Sequence, residues 1–237
     1  MNKNIGRNMN HRILIILIFQ IFLHHLTTHS QETIDSIYGL DPVLYNGKVY
    51  SYRTPPSVQG SQYLTQREFV PGEVIIQDKT YTHHLLNYDI FNQEILLQFE
   101  TDYKTATIQL NKEKVDAFTL DSRTFKLIQN EEKNTYEIFQ FFGRGKYVVL
   151  YFWEKNLELI DRSGDSYWSF SKPQKTMYLQ FNNEKHRFRN NRTFLTHFTK
   201  SQKQEIKTYL KQNKLNLKRI TDTELNQIIH FCNQLKF

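Results

Sequence analysis

The amino-acid sequence predicts a mainly β protein: an antiparallel meandering sheet, arranged as a sandwich or an open barrel, with a small C-terminal helical segment packed on it. From Val43 to about Phe188, short alternating or aromatic-rich runs are interrupted by polar turn residues roughly every 8–12 residues. Their connections are too short for the dozen or so residues of a helical crossover, which favours antiparallel pairing. Near the C-terminus, capping boxes followed by apolar residues at helical spacing predict the helices.

Composition supports a packed globular chain. The 237 residues are 39% hydrophobic and 14% aromatic, with only 8 Gly and 5 Pro, which favours packed strands over linkers or low-complexity sequence. Cys232 is the only cysteine, and this excludes an intramolecular disulfide and a Cys-rich zinc cluster.

The N-terminus has the three parts of a signal peptide. Residues 1–12 carry three basic residues and no acid, residues 13–23 are almost wholly apolar, and residues 24–30 are polar. An α-helix needs about 17–25 apolar residues to cross a bilayer, so we expect cleavage rather than retention as an anchor. Ser30 permits a cut before Gln31. We therefore expect residues 1–30 to be removed, and the mature protein to be extracytoplasmic, periplasmic or secreted, with no transmembrane span.

Residues 31–190 are predicted to form the β domain. The Asn46-Gly47 pair tolerates positive φ at both turn positions and predicts a tight hairpin between the strand ends Tyr45 and Tyr50. Pattern and turn residues then predict the following strands: 72–77, 80–88, 94–100, 105–110, 115–120, 124–129, 136–142, 147–153, 157–161, 167–171, 177–181 and 186–188.

One of these strands should be central. Tyr147–Trp153 has seven apolar or aromatic residues in succession, a pattern typical of a strand that is covered on both faces. Something must cover its second face, and the C-terminal segment, residues 191–237, is the candidate.

That segment contains two predicted helices. Ser201 and Gln204 fit a capping box and place a helix at about 201–212, and Thr221 and Glu224 repeat the signal. A short helical turn is predicted around Phe194, Leu195 and Phe198, and alternation over 214–218 indicates an edge strand. The second helix has Asn226, Gln227 and Asn233 outside a single apolar stripe made of Leu225, Ile228, Ile229, Cys232 and Leu235.

A family resemblance rests on three strings: Leu86–Glu94 (LNYDIFNQE), Val115–Leu120 (VDAFTL) and Phe231–Leu235 (FCNQL). With the Lys-rich helix before the last string, the chain resembles secreted proteins of unknown function from Bacteroidetes-type Gram-negative bacteria. The resemblance spans most of the mature chain. It implies a location in the bacterial envelope and transfers no activity and no site residue.

No metal site is expected. His83 and His84 are adjacent, with Asp89 five residues on, but neighbouring strand residues point to opposite faces unless a bulge intervenes. The other mature-chain histidines, His186, His197 and His230, lack ligand spacing.

No catalytic or cofactor site is expected either. Gly143–Lys146 lacks the spacing of a P-loop and is interpreted as a hairpin connection. The chain has no nucleophile elbow, and Cys232 lies in an apolar helix stripe, where burial raises a thiol's pKa. The acidic pairs Glu131-Glu132 and Asp161 with Asp165 are expected in loops.

Charge is uneven along the mature chain. Residues 31–182 hold 16 Lys plus Arg and 20 acids, whereas residues 183–237 hold 12 and four. This basic end either is simply solvated or attracts a partner or an anionic surface. Basic and aromatic residues interleave over 185–192, which we interpret as a solvent-facing strand edge; we expect no nucleic-acid binding. The Asn191-Arg192-Thr193 glycosylation pattern is taken as accidental in a bacterial chain.

Two functional hypotheses remain. The first is a non-catalytic extracytoplasmic interaction protein of the bacterial envelope that binds a protein partner. The alternative is a periplasmic carrier of a lipid or another apolar ligand, held in a sheet-and-helix cavity. Its candidate lining residues are Phe139, Phe141, Phe142, Tyr147, Tyr151, Phe152, Trp153 and Trp168.

Overall fold

The computed structural model describes residues 41–65, 67–101, 104–162 and 164–235. The predicted signal peptide, residues 1–30, and its cleavage site lie outside the described residues. The chain divides into residues 1–45 and residues 46–237. Of the first unit, residues 41–45 are described, and they form a turn in which Asp41 Oδ1 accepts a hydrogen bond from the Val43 N–H at 2.9 Å.

The fold is mainly β, as predicted. Among the described residues, eleven strands form one antiparallel sheet that is not closed, in the order β1-β5-β4-β3-β2-β6-β7-β8-β9-β12-β13, and β10 and β11 form a separate hairpin. The strands are β1 (Lys48–Val49), β2 (Val70–Ile76), β3 (Lys79–Asp89), β4 (Glu94–Glu100), β5 (Thr105–Gln109), β6 (Val115–Leu120), β7 (Arg123–Asn130), β8 (Thr135–Phe142), β9 (Val148–Glu154), β10 (Leu157–Arg162), β11 (Asp165–Phe170), β12 (Gln174–Phe181) and β13 (Glu184–Phe188).

The predicted hairpin at Asn46-Gly47 is wrong. Lys48 and Val49 pair with β5 instead, opposite Gln109 and Ile108, and Gly47 does not have a positive φ. The glycine is needed for close approach, because a Cβ at Gly47 would overlap the carbonyl oxygen of Gln109.

The tight hairpins of the sheet are formed by other residue pairs. Gln77-Asp78 joins β2 to β3, Asp121-Ser122 joins β6 to β7, and Asn182-Asn183 joins β12 to β13, with positive φ at both positions of each pair. Two consecutive left-handed residues match the right-handed twist of the flanking strands.

Strand β9 is central, as predicted, because it pairs with both β8 and β12. Val149 and Tyr151 belong to the core beneath the helices, and Leu150, which points to the opposite face, is also fully buried. The C-terminal segment therefore covers one face of this strand.

Three helices are described: α1 (Asn191–Leu195), α2 (Lys200–Gln212) and α3 (Asp222–Gln234). Helix α3 begins at the predicted capping box of Thr221 and Glu224, and its five-residue apolar stripe is buried. The box predicted for α2 is wrong, because the residues that form it are Thr199 and Gln202.

The predicted edge strand at 214–218 is also wrong. Lys214 has a left-handed φ of 53°, and Leu215 and Leu217 are both buried in the helical core. Their alternation marks two inward side chains of an irregular connection rather than a strand.

Candidate functional site

The most distinctive surface feature is a groove between α1, α2 and the turn after α2. We call it the basic groove, with a volume of about 740 Å³. Its floor is apolar: Leu195, Leu210 and Leu215 are 6%, 3% and 9% exposed. Five exposed cations surround that floor, namely Arg192, Lys203, Lys207, Lys211 and Lys214.

The end of α2 builds part of the floor. The Leu215 N–H donates to the Leu210 carbonyl at 2.8 Å, and the Lys214 N–H donates to the Lys211 carbonyl at 3.2 Å. These two bonds define a Schellman motif, in which the third-last helical residue and the second residue after the cap make an apolar contact. Leu210 and Leu215 occupy those two positions.

The side-chain amide of Asn191 fixes the groove wall. Its Nδ2 donates to the Leu215 carbonyl at 2.9 Å, and its Oδ1 accepts from the Leu217 N–H at 2.8 Å. Helix α1 and the turn after α2 are therefore held together. The amide nitrogen of the Asn191-Arg192-Thr193 pattern is occupied by this structural bond.

The cations of the rim reduce the stability of the helix that carries them. Lys203, Lys207 and Lys211 follow one another at four-residue spacing, and like charges at that spacing destabilise a helix by about 0.2–0.5 kcal/mol per pair. Lys214 adopts the left-handed conformation that glycine usually supplies at this position, at a cost of about 1–2 kcal/mol. No ion pair within the described part of the chain involves the five rim cations.

A second cavity, the polar cleft, has a volume of about 850 Å³ and lies between the β6–β7 turn, the end of β8 and helix α3. Its cations are Arg123, Lys126 and Arg144, and Asp222 is its acid. Arg123 Nε lies 4.0 Å from Asp222 Oδ2. The Lys126 ammonium lies 4.2 Å from the centre of the Phe141 ring, so it makes a cation–π contact with that ring.

Three polar side chains beside this cleft, those of Trp153, Gln140 and Asp222, are hydrogen-bonded in a chain. Trp153 Nε1 donates to Gln140 Oε1 at 2.8 Å, and Gln140 Nε2 donates to Asp222 Oδ2 at 2.8 Å. Burial lowers the pKa of Lys175, and the nearby carboxylate of Asp222 opposes that shift. The Lys175 ammonium lies 4.0 Å from the centre of the Tyr151 ring. Burial also raises the pKa of Tyr151, which is fully buried. A substrate could not reach that hydroxyl.

A buried polar network surrounds Asp89, at the end of β3. Asp89 is fully buried: its Oδ1 accepts from the N–H groups of Phe91 and Asn92 at 3.0 and 2.8 Å, and its Oδ2 accepts from Tyr50 Oη at 2.5 Å and from Asn92 Nδ2 at 2.8 Å. Lys155 donates to the carbonyls of Ser61 and Tyr63 nearby; burial lowers its pKa, and Asp89 opposes the shift. These bonds hold the long segment between β1 and β2 against the sheet, so Asp89 has a structural role.

Histidine positions differ from the sequence expectation in one respect. A bulge is present at His83, whose φ is 62°, but Asp89 is engaged in its own network. His186 and His197, distant in sequence, have ring centres 5.2 Å apart, and burial lowers the pKa of His197. Across the described ranges, no group of three His, Cys, Asp or Glu side chains could hold a metal ion.

The Gly143–Lys146 segment is a hairpin connection between β8 and β9, as predicted, with positive φ at both glycines. It is also docked on α3. The Gly143 N–H donates to Asn226 Oδ1 at 3.1 Å, so this backbone donor is not free to bind a phosphate. Cys232 is fully buried, and burial raises the pKa of its thiol to about 12.

The remaining sequence candidates are on the surface. Glu131 and Glu132 are exposed in the β7–β8 turn, whereas Asp161 and Asp165 lie at strand ends rather than in a loop. Residues 185–188 of the predicted strand edge belong to β13, which is an edge of the sheet, whereas residues 191 and 192 are in α1. Trp168 is 46% exposed beside its cross-strand partner Leu159, which is 56% exposed.

Comparison with known proteins adds no relative: no family model matches the chain, and no curated protein or solved structure matches it. Over the residues that are described, no helix has both the length and the apolar content needed to cross a membrane.

The sequence alone does not reveal the basic groove. The four-residue lysine spacing was visible and was consistent with a solvated helix face. The alternation over 214–218 predicts a strand and not a place for Leu215 in the floor, and Leu195 joins the floor only through the packing of α1 on α2.

Proposed function

We propose that this chain is a non-catalytic protein of the bacterial envelope that binds another protein, and that the basic groove is its binding surface. The observation that carries the proposal is the combination of a recessed leucine floor with five cations that have no ionic partner among the described residues. Apolar area supplies affinity, and surrounding charge supplies rate and selectivity.

The rim cations reduce the stability of α2, and this supports a functional rather than a structural role for them. Neither the lysine repeat on α2 nor the left-handed Lys214 stabilises the fold. Proteins commonly lose some stability where a site is needed for function.

The envelope location rests on the N-terminal sequence and on the family resemblance. A basic segment, a short apolar run and a polar stretch in residues 1–30 are typical of an exported chain.

The test compares the protein purified from its native host with a variant that carries Lys203→Glu and Lys207→Glu. We expect a protein to be recovered with the wild type in stoichiometric amount and to be lost from the variant, with an unchanged melting temperature. Lys218→Glu is the matched control, because Lys218 is exposed in the same basic segment and does not line the groove.

The same samples, extracted with organic solvent and analysed by mass spectrometry, test lipid carriage. Stoichiometric lipid without a protein partner would contradict the proposal and favour the carrier. Several of the aromatic residues on which the carrier depends pack on one another instead: the Phe142 and Tyr151 ring centres are 4.6 Å apart, and those of Phe139 and Phe152 are 5.7 Å apart.

A further inference from the structure

We infer that the partner presents an acidic amphipathic α-helix to the basic groove, with its apolar face on Leu195, Leu210 and Leu215 and its carboxylates against the lysine rim. This inference rests on the proposed function and specifies the chemistry of the occupant. Four features of the groove carry it: the depth of the floor, the use of its backbone groups, the spacing of its cations, and the lack of any acid among the residues that line it.

The floor is recessed below the cations. The three leucines are at most 9% exposed, whereas the lysine and arginine side chains around them are exposed. A flat anionic surface, such as lipid headgroups, would meet the cations and leave the leucines untouched. An occupant that contacts the leucines as well as the cations has to insert side chains into the groove, as an amphipathic helix does with residues at i, i+3, i+4 and i+7.

The groove offers no sheet edge to an extended peptide. The elements that line it are two helices and a turn, and the carbonyls of Leu210, Lys211 and Leu215 already accept hydrogen bonds. An extended peptide would need backbone partners there, because unpaired N–H and C=O groups are costly when buried. A helix satisfies its own backbone groups and needs only side-chain contacts.

The spacing of the cations fits a helical partner. Lys203, Lys207 and Lys211 repeat every four residues along α2, so they rise about 6 Å apart along the axis and span about 12 Å in total. Acids at i, i+4 and i+8 of a helix that lies alongside α2 repeat at the same distance.

The positive charge of the groove favours a partner segment that is negatively charged. The residues that line the groove include five cations and no acid, and residues 183–237 as a whole carry 12 Lys plus Arg against four acids. An acidic segment relieves the repulsion within the rim, whereas a basic segment increases it.

The probe is a labelled synthetic helix of about 15 residues with Leu at i, i+3, i+4 and i+7 and Glu on both flanks. Fluorescence anisotropy measures its affinity for the protein purified from the native host. We expect the Glu peptide to bind at least about tenfold more tightly than the same peptide with Gln in place of Glu, and the difference to shrink as salt is added.

Variants of the protein then locate the peptide. Lys203→Glu with Lys207→Glu should weaken the Glu peptide at least about tenfold, and the matched control Lys218→Glu should leave it within about twofold. Lys214→Gly should weaken binding while it raises the melting temperature, since it removes a rim charge and a left-handed lysine together.

The contrary results separate the two proposals. Equal affinity for the Glu and Gln peptides, with groove variants still reducing both, would overturn the acidic-helix inference and leave protein binding at the groove intact. Binding of phosphatidylglycerol vesicles that requires Lys203 and Lys207, with no peptide binding, would overturn both proposals in favour of a lipid surface.

Discussion

The side-chain amide of Asn233 forms two hydrogen bonds with the backbone of Tyr147: Oδ1 accepts from the N–H at 2.8 Å, and Nδ2 donates to the carbonyl at 2.8 Å. A side chain of helix α3 thus pairs with the backbone N–H and C=O groups at the start of the central strand, as the backbone of a neighbouring strand would. Asn226, on the same helix, accepts from the Gly143 N–H. The sequence expectation that both side chains are merely outside the apolar stripe misses this contact with the β8–β9 turn.

Asn233→Ala should destabilise the fold, because it removes both of the hydrogen bonds that this side chain makes with the partly buried backbone of Tyr147. The expected loss is about 1–3 kcal/mol in the free energy of unfolding, measured by urea denaturation. Gln227→Ala is the matched control on the exposed side of α3 and should change stability by less than about 0.5 kcal/mol. Equal effects of the two variants would contradict the role assigned to Asn233.

Cys232 should make stability depend on pH at alkaline values. Burial raises the pKa of its thiol from 9.0 to about 12, so the native protein retains a proton that the unfolded chain releases. The stabilisation is complete below about pH 9 and is lost as pH rises toward about 12. The free energy of unfolding of the wild type should therefore fall more steeply above pH 9 than that of Cys232→Ala. Parallel curves would show that the thiol does not titrate differently in the two states.

Asp89→Asn should destabilise the segment between β1 and β2. The substitution keeps the shape but places an amide in a fully buried position where the carboxylate accepts four hydrogen bonds. We expect a loss of about 3 kcal/mol and increased proteolysis between residues 50 and 69. Asp161→Asn, at an exposed strand end, should change neither the stability nor the cleavage pattern. An Asp89→Asn variant with wild-type stability would refute this account of the network.

The chain should be exported and cut near Ser30. The intact mass of protein from the native host should lack about the first 30 residues. A full-length mass recovered in the membrane fraction would contradict both cleavage and the proposed location.

The strands could be predicted from the sequence because alternation is a local property. All twelve strands predicted between residues 72 and 188 are present, and their ends differ from the observed ones by at most three residues. Turn chemistry was less informative. The Asn-Gly pair forms no hairpin, whereas Gln77-Asp78 and Asp121-Ser122 adopt positive φ without glycine, because the strands around them fix the turn.

The order of the strands and the basic groove could not be predicted from the sequence. Strand β1 pairs with β5 across about 60 residues of chain, and no local pattern encodes that pairing. Similarly, Leu195 and Leu210 face one groove only because α1 packs beside α2, and Leu215 joins them through the Schellman bonds at the end of α2.

Site-specific photo-crosslinking in the native host tests the central claim most directly. A photoreactive residue in place of Lys207, on the groove rim, should form a discrete crosslink to one protein, and the crosslink should disappear when Lys203 and Lys211 are changed to Glu. The same residue in place of Lys218, exposed outside the groove, should form no such product. Crosslinks of equal yield from both positions, or none from position 207, would contradict the assignment of the basic groove as a protein-binding surface.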